Sequence, residues 1–203
     1  MKILVACEES QRVTIELRKL GHEAYSCDIL PCSGGHPEWH LQQDVIPLLN
    51  QKWDMIIAFQ PCTYMTNGGA VRMYPKKGVI NQERFKKAMK AKEFFMSFYN
   101  ADCPRIAIEN PMPMKIVGLP EKSQVIQPYQ FGDPFSKRTY LWLKGLPKLE
   151  YTNVLTEYQP FINGGGGRLN KENYKGKKFA NGSTKRSKTF PGIAKAMAEQ
   201  WTK

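Results

Sequence analysis

Two residues of this chain stand where chemistry is done. Cys62 lies in FQPCTYMTNGG (59–69), directly behind the apolar run WDMIIA, and Pro61 fixes the backbone just before it. Glu109 ends a second apolar run, RIAIENP, and Asn110 and Pro111 extend the same turn. A cysteine attacks only as a thiolate, which requires an electropositive setting, and without one Cys62 is an inert half-buried thiol. A carboxyl at the end of a buried strand must find a partner or keep its proton, and one that keeps its proton is a general acid. A structural ion pair with Lys or Arg is the other reading of Glu109.

The elements that hold these residues follow from hydrophobic periodicity. KILVA (2–6) reads as a buried strand, and SQRVTIELRKLG (10–21) as a helix capped by Ser10, with Val13, Leu17 and Leu20 inward and Gly21 as its stop. HEAYSCDI reads as a second strand and WDMIIAF (53–59) as a third. RFKKAMKAKEFFMSFY (84–99) reads as a helix with Phe85, Met89, Phe95 and Met96 inward, and PRIAIENP (104–111) as a fourth strand. Strands alternating with helices predict an open α/β, mostly parallel sheet with helices on both faces, whose ligands bind at the carboxyl ends of the strands. QVIQP (124–128) and TYLWLKGL (139–146) predict an antiparallel hairpin at one edge. In PGIAKAMAEQW, Pro191 opens a helix that turns Ile193, Met197 and Trp201 inward.

The bulk properties bound the rest. The 203 residues are expected to form a single domain over 1–203, with a basic Gly/Lys-rich region at 150–190 and the closing helix at 191–203. With 41% hydrophobic and 24% charged residues, no apolar stretch approaches a membrane span. MKILVACEES lacks the apolar core of a secretory signal, and five cysteines, an odd number, do not read as a disulfide framework. The expected location is cytoplasmic. A net charge of +12 favours a polyanionic partner, and with no basic amphipathic helix in view nucleic acid is preferred to membrane. NGGGGRLNKENYKGKKFANGSTKRSK (163–188) concentrates that charge: Lys185 and Arg186 are its candidate phosphate contacts, and Tyr174 and Phe179 could stack on bases. A solvated linker is the alternative reading of the same stretch.

Together these residues resemble the DNA cytosine methyltransferases that act on carbon-5. That family carries a Pro-Pro-Cys loop behind one apolar strand and a Glu-Asn-Val turn behind the next; here those places hold Gln60, Pro61 and Cys62, then Glu109, Asn110 and Pro111. QFGDPFSKRTYLWLKGLP (130–147) resembles the family's later segment of Gly-x-Pro, basic residues and a strand, with Lys137 and Arg138 in the basic positions. The likeness runs from residue 1 to about 147 and resumes in the final helix. It implies a Rossmann-like class I methyltransferase fold, S-adenosylmethionine as cofactor and DNA as partner. On the substrate side it implies that Cys62 adds to carbon-6 of cytosine, that Glu109 steadies ring nitrogen 3 and the amino group, and that Arg138 and Lys137 lie near the base and its phosphate. Pro61, Asn67 and Asn110 join them, and TYMTNGGAVRMYPKKG (63–78) is a candidate loop for closing over a base that has left the stack. On the cofactor side CEESQ (7–11) would meet the methionine end through Cys7, Glu8, Ser10 and Gln11. Asp28 would take the ribose hydroxyls, Ile29 would press on the adenine, Asp44 would stand beside its amino group, and Phe59 completes the cofactor-binding set.

The chain departs from the family pattern in several places. Its first loop has no glycine, Gln60 replaces the first proline, Phe135 and Thr139 replace a glutamine and an arginine, and no room remains after residue 147 for a separate target-recognition domain. That combination resembles short methyltransferase-like proteins often carried by bacteriophages. Cys27, Cys32, His36 and His40 are ligand types for zinc at a spacing foreign to a standard finger, so no metal is expected, and His36, Trp39 and His40 are expected to form a loop over the adenine end. Two alternatives stay open: the same chemistry on RNA or a free cytosine nucleotide, and a non-catalytic nucleic-acid-binding protein with a degenerate methyltransferase fold. Amino-methylating enzymes of this fold carry Pro-Pro-Tyr or Pro-Pro-Phe after an acidic or amide residue, which FQPCTY does not offer.

Overall fold

KILVA is buried from Ile3 to Ala6 because strands pair with it on both edges and helices cover both its faces. The computed structural model describes residues 1–161 and 188–203. Seven strands form one sheet: β1 (Lys2–Ala6), β2 (Glu23–Asp28), β3 (His40–Gln42), β4 (Met55–Ala58), β5 (Ile106–Pro111), β6 (Gln124–Ile126) and β8 (Thr139–Lys144). Their order is β3-β2-β1-β4-β5-β8-β6. All pairs are parallel except those of β8, which runs antiparallel to both β5 and β6. Two short strands, β7 (Phe135–Ser136) and β9 (Gln159–Pro160), pair beside the main sheet. The strand order and single inverted strand are those of the Rossmann-like class I methyltransferase fold, and the edge hairpin expected from the sequence is β6 with β8.

Alternation along the strands feeds two cores. Leu4, Ile56, Ile106 and Ile108 face α3 (Gln82–Tyr99), which contributes Ala88, Phe95 and Phe98. On the other side Ile3, Val5, Ile57 and Ala107 pack with Val13 and Leu17 of α1 (Arg12–Lys19) and with Ile193, Met197 and Trp201 of α4 (Pro191–Trp201). The Asn81 side chain accepts the Arg84 N–H and so caps α3.

The structure changes several expectations. Helix α1 starts at Arg12 rather than at a Ser10 cap, because Gln11 sits in the left-handed region at φ 55° and the carboxylate of Glu8 receives the first-turn N–H groups instead. Leu20 lies beyond the helix end and is 46% exposed, so it is not a core residue. Phe98, unmarked in the sequence reading, is fully buried where Phe85, Met89 and Met96 are only partly so. The 63–78 stretch holds a one-turn helix, α2 (Ala70–Met73), and is anchored by Met65 and Met73, both at 0% exposure. No described helix is long and apolar enough to cross a membrane.

Candidate active site at the carboxyl ends of the strands

Strand β4 delivers the cysteine. Its line continues through the Phe59 N–H, which donates to the Ala6 carbonyl, into Gln60, which is buried, then the exposed Pro61 and the half-buried Cys62. The Cys62 carbonyl accepts the Met65 and Thr66 N–H groups at 3.0 Å each, which closes a turn. That turn is stitched to the chain leaving β5: Asn67 donates to the Met112 carbonyl at 2.9 Å, Met114 donates to Met65 at 2.8 Å, and Thr66 forms a bridge with Pro113. Asn67 itself is exposed at the surface of the turn.

Helix α3 supplies positive charge here, which the sequence reading did not assign. Arg84 donates to the Thr63 carbonyl at 3.0 Å and lies 5.2 Å over the Tyr64 ring, with Lys87 at 5.9 Å over the same ring. The two residues that follow Cys62 are therefore held by cations. Gly69 lies beside them, and a Cβ there would displace the Arg84 guanidinium. The only sequence signal was an arginine one turn into a helix of otherwise solvent-facing lysines.

Strand β5 delivers the carboxyl. Glu109 pairs in register with Leu141 and shares a face with Ala107, while the fully buried Asn110 points to the opposite face. Asn110 meets Gln60 there, with the Gln60 Nε2 at 3.4 Å from its Oδ1. Glu109 Oε1 and Gln60 Oε1 are both buried and accept no hydrogen bond. Burial pushes the Glu109 pKa up, and the Lys137 ammonium opposes the shift. Of the two expected basic residues it is thus Lys137 whose charge reaches Glu109. Arg138 is exposed, and its charge reaches the Tyr129 phenol instead.

The ends of β1, β2 and β3 form the second half of the site. Cys7 takes a left-handed backbone at φ 59°, and its thiol is pushed far up by burial, then by the charges of Asp28, Cys27 and Asp44. Both carboxylates thus lie within electrostatic reach of Cys7. Asp28 is half-buried and accepts the Leu30 N–H at 2.9 Å; Asp44 is exposed and accepts the Ile46 N–H at 3.0 Å. Ile29 stands beside Asp28 at 74% exposure, and Phe59 packs half-buried on the α1/α4 core. A carboxylate beside an exposed aliphatic face suits the hydroxyl pair and purine of a nucleoside, so this end fits the cofactor implied by the resemblance.

The first loop is used differently from expectation. Glu8 accepts the Val13 N–H at 2.7 Å and the Thr14 hydroxyl at 2.8 Å, beneath the helix start. Gln11 donates to Ser26 and to the His36 carbonyl and accepts the His36 N–H. Both side chains are committed to the protein itself, because residues 33–36 fold down over this loop. Ser10, also buried, lies under Gly34, where a Cβ would collide with the Gln11 side chain and the Ser10 carbonyl. Ser33 bonds the Glu9 backbone and carboxylate, and Lys188 reaches the same Ser33 hydroxyl at 2.9 Å. Lys185 and Arg186 lie outside the described residues.

Among the described residues no group of three or more His, Cys, Asp or Glu side chains is placed to hold a metal. Cys27 donates to the Gln43 carbonyl, and His40 sits between the Ser26 hydroxyl and the Leu30 carbonyl. His36 stacks on Trp39 at 3.9 Å, and Trp39 lies against Arg18 of α1, beside Gly21 and His22. That places His36 and Trp39 against the end of α1, where the cation–π contact with Arg18 holds the indole.

No protein-family profile matches the chain, and no curated protein matches it. Among solved structures it is similar to a protein described as a DNA modification methyltransferase encoded within an E. coli prophage, at 12% identity and a TM-score of 0.43, over 70% of this chain and 45% of that one. It is also similar to a triple mutant of DNMT2 from Spodoptera frugiperda, at 14% identity and a TM-score of 0.40, over 81% of this chain and 56% of that one. The chain thus spans about half the length of these two proteins.

Proposed function

We propose that this chain is an S-adenosylmethionine-dependent methyltransferase acting on carbon-5 of cytosine in DNA, through a covalent adduct of Cys62. The observation that carries the reading is the stitching of the Cys62 turn to the chain leaving β5, where Glu109 keeps one carboxyl oxygen buried and without a partner. Asp28, Ile29 and Asp44 would hold the nucleoside part of the cofactor, with Phe59 behind them. Bound there, S-adenosylmethionine supplies an electrophilic methyl group.

The chain's own residues prepare the base. The Cys62 thiolate forms a bond to carbon-6, and the electron pair displaced from the ring double bond makes carbon-5 nucleophilic. Glu109, whose pKa burial raises, would offer a proton to ring nitrogen 3 and so stabilise the charge that develops there. Lys137 steadies the Glu109 carboxyl, while Pro61, Asn67 and Asn110 shape the two turns around the base. After transfer, water takes the carbon-5 proton, the freed electron pair re-forms the double bond to carbon-6, and the thiolate leaves with the pair of its sulfur–carbon bond, which restores the ring.

One observation favours a second reading. Glu8 and Gln11 are spent on the protein's own backbone and hydroxyl groups, as a non-catalytic nucleic-acid-binding protein on this fold would allow. Transfer of labelled methyl from S-adenosylmethionine to DNA, RNA and a cytosine nucleotide separates the two. Label at carbon-5 that disappears in Cys62→Ser and falls in Glu109→Gln is the expected result. Absence of both label and saturable cofactor binding would give the protein to the second reading.

A further inference from the structure

The turn behind β6 carries an aromatic pair that neither the catalytic nor the cofactor reading uses. The Tyr129 and Tyr158 rings stack with centroids 4.0 Å apart and planes 6° from parallel. The pair is built by backbone pairing: Leu155 donates to the Tyr129 carbonyl at 2.9 Å, and Asn153 bridges Phe131, which lays residues 153–158 along the turn. Tyr158 is nevertheless 47% exposed. Since Tyr129 covers one of its faces, its exposure falls on the edges and the opposite face. Tyr151 and Val154, in the same segment, are 52% and 57% exposed.

Charge and position suggest what this surface receives. Burial and the neighbouring Tyr158 and Tyr151 push the Tyr129 pKa up, and Arg138 opposes them, so an exposed guanidinium lies within electrostatic reach of the pair. Strand β6 is antiparallel to β8, which is antiparallel to β5, so the turn after β6 emerges on the same edge of the sheet as Glu109. Two strand spacings separate β5 from β6, roughly 10 Å. That is the reach of a neighbouring nucleotide rather than of the target base itself. An exposed tyrosine face beside an arginine is matched by a base and its phosphate, and the chain's net charge of +12 attracts such a strand from a distance.

We propose that Tyr158, backed by Tyr129 and flanked by Arg138, is a stacking platform for an unpaired base next to the one that enters the Cys62 site, so that the preferred substrate is single-stranded or locally opened nucleic acid. The proposal rests on the methyltransferase reading for its target base. The platform fixes the strand's direction across the sheet edge and holds the neighbouring base out of the stack while the target is engaged.

The test uses the full chain and a fluorescent ten-nucleotide DNA strand, alone and annealed to its complement. The single strand is expected to bind more tightly than the duplex, Tyr158→Leu to weaken it about tenfold, and Tyr158→Phe to retain it, because one base–aromatic stack is lost in the first variant and kept in the second. Equal affinity of wild type and Tyr158→Leu, or a duplex preference in both, overturns the platform. In the unaltered protein, photo-crosslinking of a strand bearing 5-iodouracil is expected to label Tyr158 or Tyr129, and labelling elsewhere only overturns the proposal without depending on any variant's folding. Self-association abolished by Tyr158→Leu in the absence of DNA would assign the face to a second copy and equally overturn it. Methyl transfer is scored separately: transfer with no effect of Tyr158→Leu on strand binding removes the platform alone, and strand binding through Tyr158 with no transfer removes the enzyme reading alone.

Discussion

Thr66 and Pro113 pair across an isolated antiparallel bridge, so the turn that carries Cys62 and the chain leaving the Glu109 strand form one hydrogen-bonded unit. The side chain that roots this unit in the core is Met65, at 0% exposure.

Met65→Ala therefore tests the unit directly. The lost methylenes and the residual cavity are expected to cost about 2–5 kcal/mol of stability, and the slackened turn to lower the rate of transfer more than the affinity for cofactor. Urea unfolding with single-turnover methyl transfer reads both. An unchanged midpoint together with an unchanged rate would leave Met65 without this role.

Glu8 gives the fold a pH dependence of definite sign. Burial, against the opposing hydrogen bonds from Val13 and Thr14, raises its pKa from 4.5 to about 7. Between those values the unfolded chain releases the proton while the folded one keeps it, so this group's contribution to stability falls as pH rises from about 4.5 to about 7 and is level outside that window. Glu8→Gln is expected to flatten that part of the unfolding free-energy profile, by ~3 kcal/mol at most. Parallel profiles for wild type and variant would show that Glu8 does not titrate there.

Ile29 separates binding from folding. At 74% exposure its side chain contributes little to stability, so Ile29→Ser should change unfolding by less than about 0.5 kcal/mol. Its apolar face is the expected cover for the purine, so calorimetry should show S-adenosylmethionine binding weakened about tenfold, the worth of roughly one buried branched side chain. A variant that binds cofactor like the wild type moves the purine elsewhere.

Gly192 is the contact that seats α4. Its N–H donates to the Asp133 carboxylate at 2.9 Å, and a Cβ at this position would overlap the Phe131 carbonyl. Gly192→Ala should destabilise by about 1–3 kcal/mol through overpacking, visible as a lower Tm. An unchanged Tm would mean that the start of α4 shifts freely.

Lys185 and Arg186 are candidate phosphate contacts on the strength of their charge alone. If each contacts a phosphate of a single strand, replacing both with Ala lowers the slope of log affinity against log salt by about 1.4. An identical slope would make that stretch a linker.

Much of this arrangement was already legible in the residues. The exits of β4 and β5 could be placed from the apolar runs before Cys62 and Glu109, because a buried parallel strand writes itself as consecutive local hydrophobics. The inward face of α4 was legible for the same reason, in Ile193, Met197 and Trp201. Strand β3 was not, since His40–Gln42 is short and polar and is extended only because the edge of β2 offers it N–H and C=O partners. The start of α1 was misplaced because its first amides are satisfied by Glu8, upstream of the helix, rather than by the adjacent Ser10.

The sequence by itself determined which strands form the centre of the sheet and that a thiol and a carboxyl stand at neighbouring exits, because period and strand ends are local properties. Only the tertiary structure decided that Lys137 rather than Arg138 reaches Glu109, that Arg84 and Lys87 hold the residues after Cys62, and that Tyr158 lies on Tyr129. Those relationships join residues distant in the chain. They are set by strand register, helix docking and the need of buried polar groups for partners, none of which a local pattern records.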